Sequence, residues 1–92
     1  MSDLINFIPF GKENAISREE LCRLTGMNDR AIREIISQLR REYCILNNQD
    51  GRGYYRPLVD ETKYVQEYIR QETRRAKSIF WSLEGARNWM EI

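Results

Sequence analysis

The residues best able to do recognition chemistry in this chain are arginines. Arg30, Arg33 and Arg40 recur at helical spacing together with Asn28 and Ser37, on the side of an amphipathic segment opposite its apolar residues. A guanidinium presents paired N–H donors that match O6 and N7 of guanine, or two oxygens of a phosphate. Asn28 and Ser37 can contact a base edge or a phosphate. Asp29 and Glu34 share this surface. Either could accept from cytosine N4, but each has a simpler role, Asp29 at the positive start of the helix and Glu34 paired with Arg30 one turn away. Three further cations are candidate phosphate anchors: Arg52 beside the glycines of a turn, Arg18 at a helix start, and Lys12 after Gly11.

Catalytic chemistry has little to work with. The 92 residues contain no histidine and two cysteines, Cys22 and Cys44. There is no glycine-rich phosphate loop, and the carboxylates have evident helix-surface partners, so the chain reads as a non-enzyme. Both cysteines sit among apolar neighbours and read as small buried hydrophobes in a reducing compartment. No zinc site and no cofactor are expected.

The length fits one domain with a modest core. Fifteen basic and fourteen acidic residues give a net charge of +1, so any footprint on a polyanion must come from local segregation of charge. The longest apolar run, Leu4–Phe10, is far too short for the roughly 20 residues of a membrane span. The start Met1-Ser2-Asp3 lacks the basic opening of a secretory signal, so the chain is expected in the cytoplasm.

These side chains need elements to hold them. Ser2–Ile8 reads as a short helix capped by Ser2 and ended by Pro9, followed by a connection to an extended Ala15-Ile16. Ser17-Arg18-Glu19-Glu20 is a capping box that opens a helix with Leu21 and Leu24 on one face. Gly26 suits a left-handed helix end. Asn28 caps a second helix to Arg41, with Ala31, Ile32, Ile35, Ile36 and Leu39 on its apolar face. Tyr43–Asn47 and Gly53–Arg56 are rich in strand formers and flank an Asp50-Gly51 turn, the signature of a hairpin. Tyr54 and Tyr55 should point to opposite faces, one inside and one outside. Asp60 caps a long helix to about Met90. The fold class is therefore mainly α with a small β-hairpin, an α+β chain.

Helix, turn, longer helix and hairpin form an ordered set, and the spacing tests it. Cys22, four residues before Gly26, is small enough for two helices to cross closely, and Leu21, Met27, Ile32 and Ile35 fall where they must bury side chains against each other. Across Ser17–Arg41 the chain resembles the helix-turn-helix family. The stretch from Ala15 to Glu34 is similar to small winged-helix proteins of bacteriophages and mobile elements, with the likeness extending over residues 3–57. The resemblance implies a winged helix-turn-helix domain over 1–59. It implies that helix 28–41 enters the major groove of double-stranded DNA, with Asn28, Arg30, Arg33, Ser37 and Arg40 facing it. It also implies a wing at 47–53 that offers Gln49, Arg52 and Tyr54, with Arg52 entering the minor groove or gripping the backbone. The role it suggests is sequence-specific binding in transcription regulation or as a replication accessory.

Residues 60–92 are expected to serve dimerisation or partner docking. A helix over 60–90 would be about 45 Å long at 1.5 Å per residue, more than so small a domain can cover. Tyr64, Val65, Tyr68 and Ile69 should pack on the domain. Ile79, Phe80, Leu83, Trp89 and Met90 leave apolar surface for a second copy, or else the helix breaks near Gly85 and folds back. Arg70, Arg74, Arg75 and Lys77, mixed with Glu67 and Glu72, read as a solvated face. A two-fold homodimer would ask for a pseudo-palindromic site with half-sites about 10 base pairs apart, or a multiple. The competing reading is a protein-interaction module, a phage-encoded inhibitor or adaptor, favoured by the near-neutral charge and the acids beside Arg30 and Arg33.

Overall fold

Two helices joined by a tight turn form the centre of the protein. The computed structural model describes residues 3–48 and 53–91. Helix α1, Arg18–Thr25, begins where the Ser17 hydroxyl accepts from the Glu20 amide. The Glu20 carboxylate is held by Arg23 rather than by the Ser17 amide. The helix ends at Gly26, whose φ of 75° is left-handed and whose amide donates to the Cys22 carbonyl. Thr25 stitches the turn, its hydroxyl donating to the Leu21 carbonyl and accepting from the Met27 amide. Helix α2, Asp29–Leu39, is capped by Asn28, whose side chain accepts from the Ala31 amide. Leu21 and Ile32 are fully buried between the helices, with Met27, Ile35 and Cys22 packed around them. Leu24 does not share the buried face. It is 46% exposed, because α2 covers only the stripe through Leu21.

Three short strands complete an α+β arrangement that is mostly helical. They are β1 (Ile16–Ser17), β2 (Leu46–Asn47) and β3 (Gly53–Tyr55), antiparallel in the order β1-β3-β2. Ile16 pairs with Tyr54, and Leu46 with Tyr55. The tip of the hairpin, with Gln49 and Arg52, lies outside the described residues, as does Ser2. At its neck Asn48 and Gly53 are bonded twice, through Gly53 N to Asn48 Oδ1 at 3.0 Å and Asn48 N to the Gly53 carbonyl at 3.2 Å.

Tyr54 and Tyr55 do point to opposite faces, but both are buried, at 4% and 1% exposure. Tyr54 joins the helical core with Leu4, Ile8, Leu21, Ile32, Ile36 and Ile45. Tyr55 and Leu46 lie on the other face, which helix α3 (Thr62–Ser82) closes through Tyr64, Glu67 and Tyr68. Burial pushes the Tyr55 phenol above its ordinary pKa, and the nearby Glu61 carboxylate adds to the rise. The sheet is thus the middle of three layers.

Several boundaries differ from expectation. The first helix is a 3₁₀ turn over Asp3–Phe7, since Pro9 leaves too few residues for an α-helix while Leu4 and Ile8 still reach the core. Residues 43–45 are not strand. The chain leaves α2 through turns in which the Tyr43 amide bonds the Leu39 carbonyl. Cys44 is exposed and Cys22 only half-buried. Asp60 does not cap α3. It lies in a 3₁₀ turn, Val59–Glu61, and the carboxylate that holds this junction belongs to Glu61. Glu61 Oε1 accepts from the Leu58 amide at 2.9 Å, and Oε2 from the Lys12 amide at 3.0 Å.

Beyond Glu72 the helix leaves the body. Residues 73–91 are exposed throughout. The break comes at Leu83, which keeps right-handed helical dihedrals and bonds back to the Phe80 carbonyl, and α4 (Glu84–Met90) follows at once. The segment does not fold back on the sheet or the α1–α2 pair, and the protein is 52 Å along its longest axis. Among the described residues no helix is long and apolar enough to cross a membrane.

Candidate nucleic-acid interface

Burial of Ile32 and Ile36 turns the opposite face of α2 to solvent. Asn28, Asp29, Arg30, Arg33, Glu34 and Ser37 are all exposed there. Asn28 holds a double position, since its side-chain oxygen is used in the cap while the rest of the amide faces outward. Ser37 is exposed on the same face, further along the helix.

Asp29 organises the arginines. Its Oδ1 lies 3.3 Å from Arg18 Nε and its Oδ2 3.1 Å from Arg33 Nε. One carboxylate therefore joins the first residue of α1 to the second turn of α2. The Asp29–Arg33 contact follows from i,i+4 spacing. The contact with Arg18 needs the two helices to be folded together, and sequence reasoning missed it. All three side chains are partly solvated, so the ion pairs add little stability, about 0–1 kcal/mol each. What they supply is position, with two guanidiniums facing outward around one acid. Arg30 stands farther out at 85% side-chain exposure, and Glu34 is 4.0 Å away.

The hairpin neck meets the same corner. Arg18 and Asp29 line a cleft with Ala15, Ser17, Asn48 and Gly53. The starts of both helices and the base of the hairpin thus form one continuous surface. Arg52, the expected wing contact, lies outside the described residues.

Two expected contacts are placed elsewhere. Arg40 turns inward: its Nε donates to the Ile45 carbonyl at 3.0 Å, a terminal nitrogen donates to Asn47 Oδ1 at 2.7 Å, and the guanidinium lies 5.2 Å from the Tyr68 ring. It is half-buried where α2, β2 and α3 meet: Arg40 keeps helical dihedrals at the end of α2, but the Ile45 carbonyl, Asn47 and Tyr68 flank that end and draw the side chain in. Lys12 belongs to the α3 layer. Its backbone amide is bonded to Glu61 and its ammonium sits 4.2 Å from the centre of the Tyr64 ring.

The face that remains is Asn28, Arg30, Arg33 and Ser37 with Arg18 beside them. It can donate paired hydrogen bonds to planar acceptors and neutralise phosphates. Ile79, Phe80, Leu83, Trp89 and Met90, expected at an interface, are all exposed on the far arm. No family model, curated protein or solved structure matches the chain, so this geometry carries the functional argument.

Proposed function

We propose that the chain is a winged helix-turn-helix protein that binds double-stranded DNA, with α2 in the major groove and the β2–β3 hairpin as its wing. The observation that carries this reading is the convergence of the outward arginines of α2, Arg18 of α1 and the hairpin neck on one surface. In this reading Arg33 and Arg30 address base edges, with guanine the best match to a guanidinium. Asn28, Ser37 and Arg18 hold the backbone. The strand order β1-β3-β2 and the left-handed turn at Gly26 support the assignment. A site-specific regulator and a replication accessory would both use this contact.

The test is fluorescence anisotropy of labelled duplexes. Binding should be measurable at about 50 mM salt and fall linearly with the logarithm of salt concentration. Arg33→Ala should weaken a selected site by about 1–3 kcal/mol, or roughly 5- to 150-fold. A chain that binds no duplex at about 50 mM salt is not a DNA-binding protein of this kind. The second reading, a module that docks on another protein through the winged-helix surface and the aromatic C-terminal helix, is favoured by the exposed apolar residues of the arm. It predicts no duplex binding at about 50 mM salt.

A further inference from the structure

We propose that the arm formed by α3 from Ile69 onward and by α4 pairs with the same arm of a second copy, in antiparallel orientation. The inference does not depend on DNA binding. Ile69, Ile79, Phe80, Leu83, Trp89 and Met90 are each more than 40% exposed. With side chains of about 150–250 Å² for the aromatic members, they expose on the order of 800 Å² of apolar surface. A monomer's largest patch is about 300–600 Å², and one side of a stable interface is about 800 Å². The arm is the size of half an interface.

Charge identifies the occupant. Ile69, Ala76, Leu83 and Met90 recur every seven residues, and Leu83 keeps right-handed helical dihedrals and accepts from the Arg87 amide where α3 meets α4, so they follow one stripe along the arm. The next residue in each repeat is Arg70, Lys77, Glu84 and Glu91, a flanking row that is basic in its first half and acidic in its second. Such a row complements itself only when turned end for end. Antiparallel pairing sets Arg70 against Glu91 and Lys77 against Glu84 in one register, centred between Phe80 and Trp81. Parallel pairing would set each charge against its own kind. Among the described residues none of these four is in an ion pair, so all are free to make the contact. Glu72 does not oppose it, because Arg75 lies 3.2 Å away on the same helix.

Sedimentation equilibrium of the full chain tests the proposal. The chain should be at least half dimeric by about 10 μM. Leu83→Glu should weaken the dimer by about 100-fold or more, because it buries an unpaired charge in the interface. Leu83 is remote from the buried core, so the melting of the body serves as the folding control. Lys77→Glu and Glu84→Lys should each weaken the dimer, and the two together should restore it to within about threefold. A chain that stays monomeric at about 100 μM overturns the proposal and leaves the arm to a different protein. So does a Leu83→Glu dimer as tight as the wild type, or a double variant weaker than either single one.

Discussion

Removing the Glu61 carboxylate should loosen the junction between the two halves of the chain. Glu61 holds two amides from segments far apart in sequence, Lys12 at 3.0 Å and Leu58 at 2.9 Å. A hydrogen bond to a charged group contributes about 1.5–3 kcal/mol when shielded and less where water competes. The Lys12 bond is partly buried and the Leu58 bond exposed, so about 1.5 and about 0.5 kcal/mol are reasonable shares. Glu61→Ala should then cost about 2 kcal/mol. In a domain of this size each kcal/mol moves the melting temperature by about 4–8 °C, so thermal circular dichroism should show a fall of about 10 °C. Glu61→Gln retains one acceptor oxygen without the charge and should lose about half as much. Asp60→Ala, one residue away at an exposed position, should stay within about 0.5 kcal/mol of wild type. If Glu61→Ala melts within about 2 °C of wild type, or if Asp60→Ala is the more damaging change, the clamp does not hold α3 in place.

Other outcomes follow from single positions. Arg40→Met should lower stability by about 1–2 kcal/mol, read by urea denaturation, because it leaves Asn47 and the Ile45 carbonyl without their charged donor. In the folded protein it should change duplex affinity far less than Arg33→Ala does. Gly26→Ala should cost about 1–2 kcal/mol purely through the backbone, since φ is 75° and a Cβ would meet nothing within 4 Å. Gly26→Asn should cost less, because asparagine tolerates the left-handed region. The Tyr55 phenol is raised in the folded state, so the unfolded chain ionises first as pH rises. Stability should therefore be intact below the ordinary phenol value of about 10 and decline above it. Tyr55→Phe should flatten that decline in alkaline melts.

What could be read in the sequence was what local geometry determines. Ser17, Gly26 and Asn28 act within a few residues of themselves, and each takes the position that its chemistry prefers. Ile32 and Ile36 declare the buried face of α2 by period alone, and that leaves Arg30 and Arg33 outward. The errors arose where distant segments decide. Alternation leaves one of Tyr54 and Tyr55 outside unless α3 is known to cover the second face of the sheet. Arg40 continues the spacing of Arg33, yet at the end of α2 Asn47 and Tyr68, from distant segments, draw the side chain in. Asp60 and Glu61 are equally good helix-start acids. Only the folded path of Lys12 past the junction selects the second.

Arg40 and Glu61 also bear on how two binding surfaces could be spaced. Arg40 leaves the end of α2, bonds β2 and stacks on Tyr68 of α3, while Glu61 fixes the start of α3 against the segment that leads into β1. The arm is thus joined to the recognition face by packed and hydrogen-bonded contacts rather than by a flexible linker. If two copies pair through their arms, the separation of their α2 helices is set by that geometry. A register centred between Phe80 and Trp81 puts the two Tyr68 positions about 38 Å apart along the paired helices, at 1.5 Å per residue. That exceeds the roughly 34 Å of one DNA turn before the width of either body is counted. Half-sites recovered from randomised duplexes should therefore lie about two turns apart, near 20 base pairs. Recovery of half-sites about 10 base pairs apart would rule out the antiparallel register while leaving DNA binding intact.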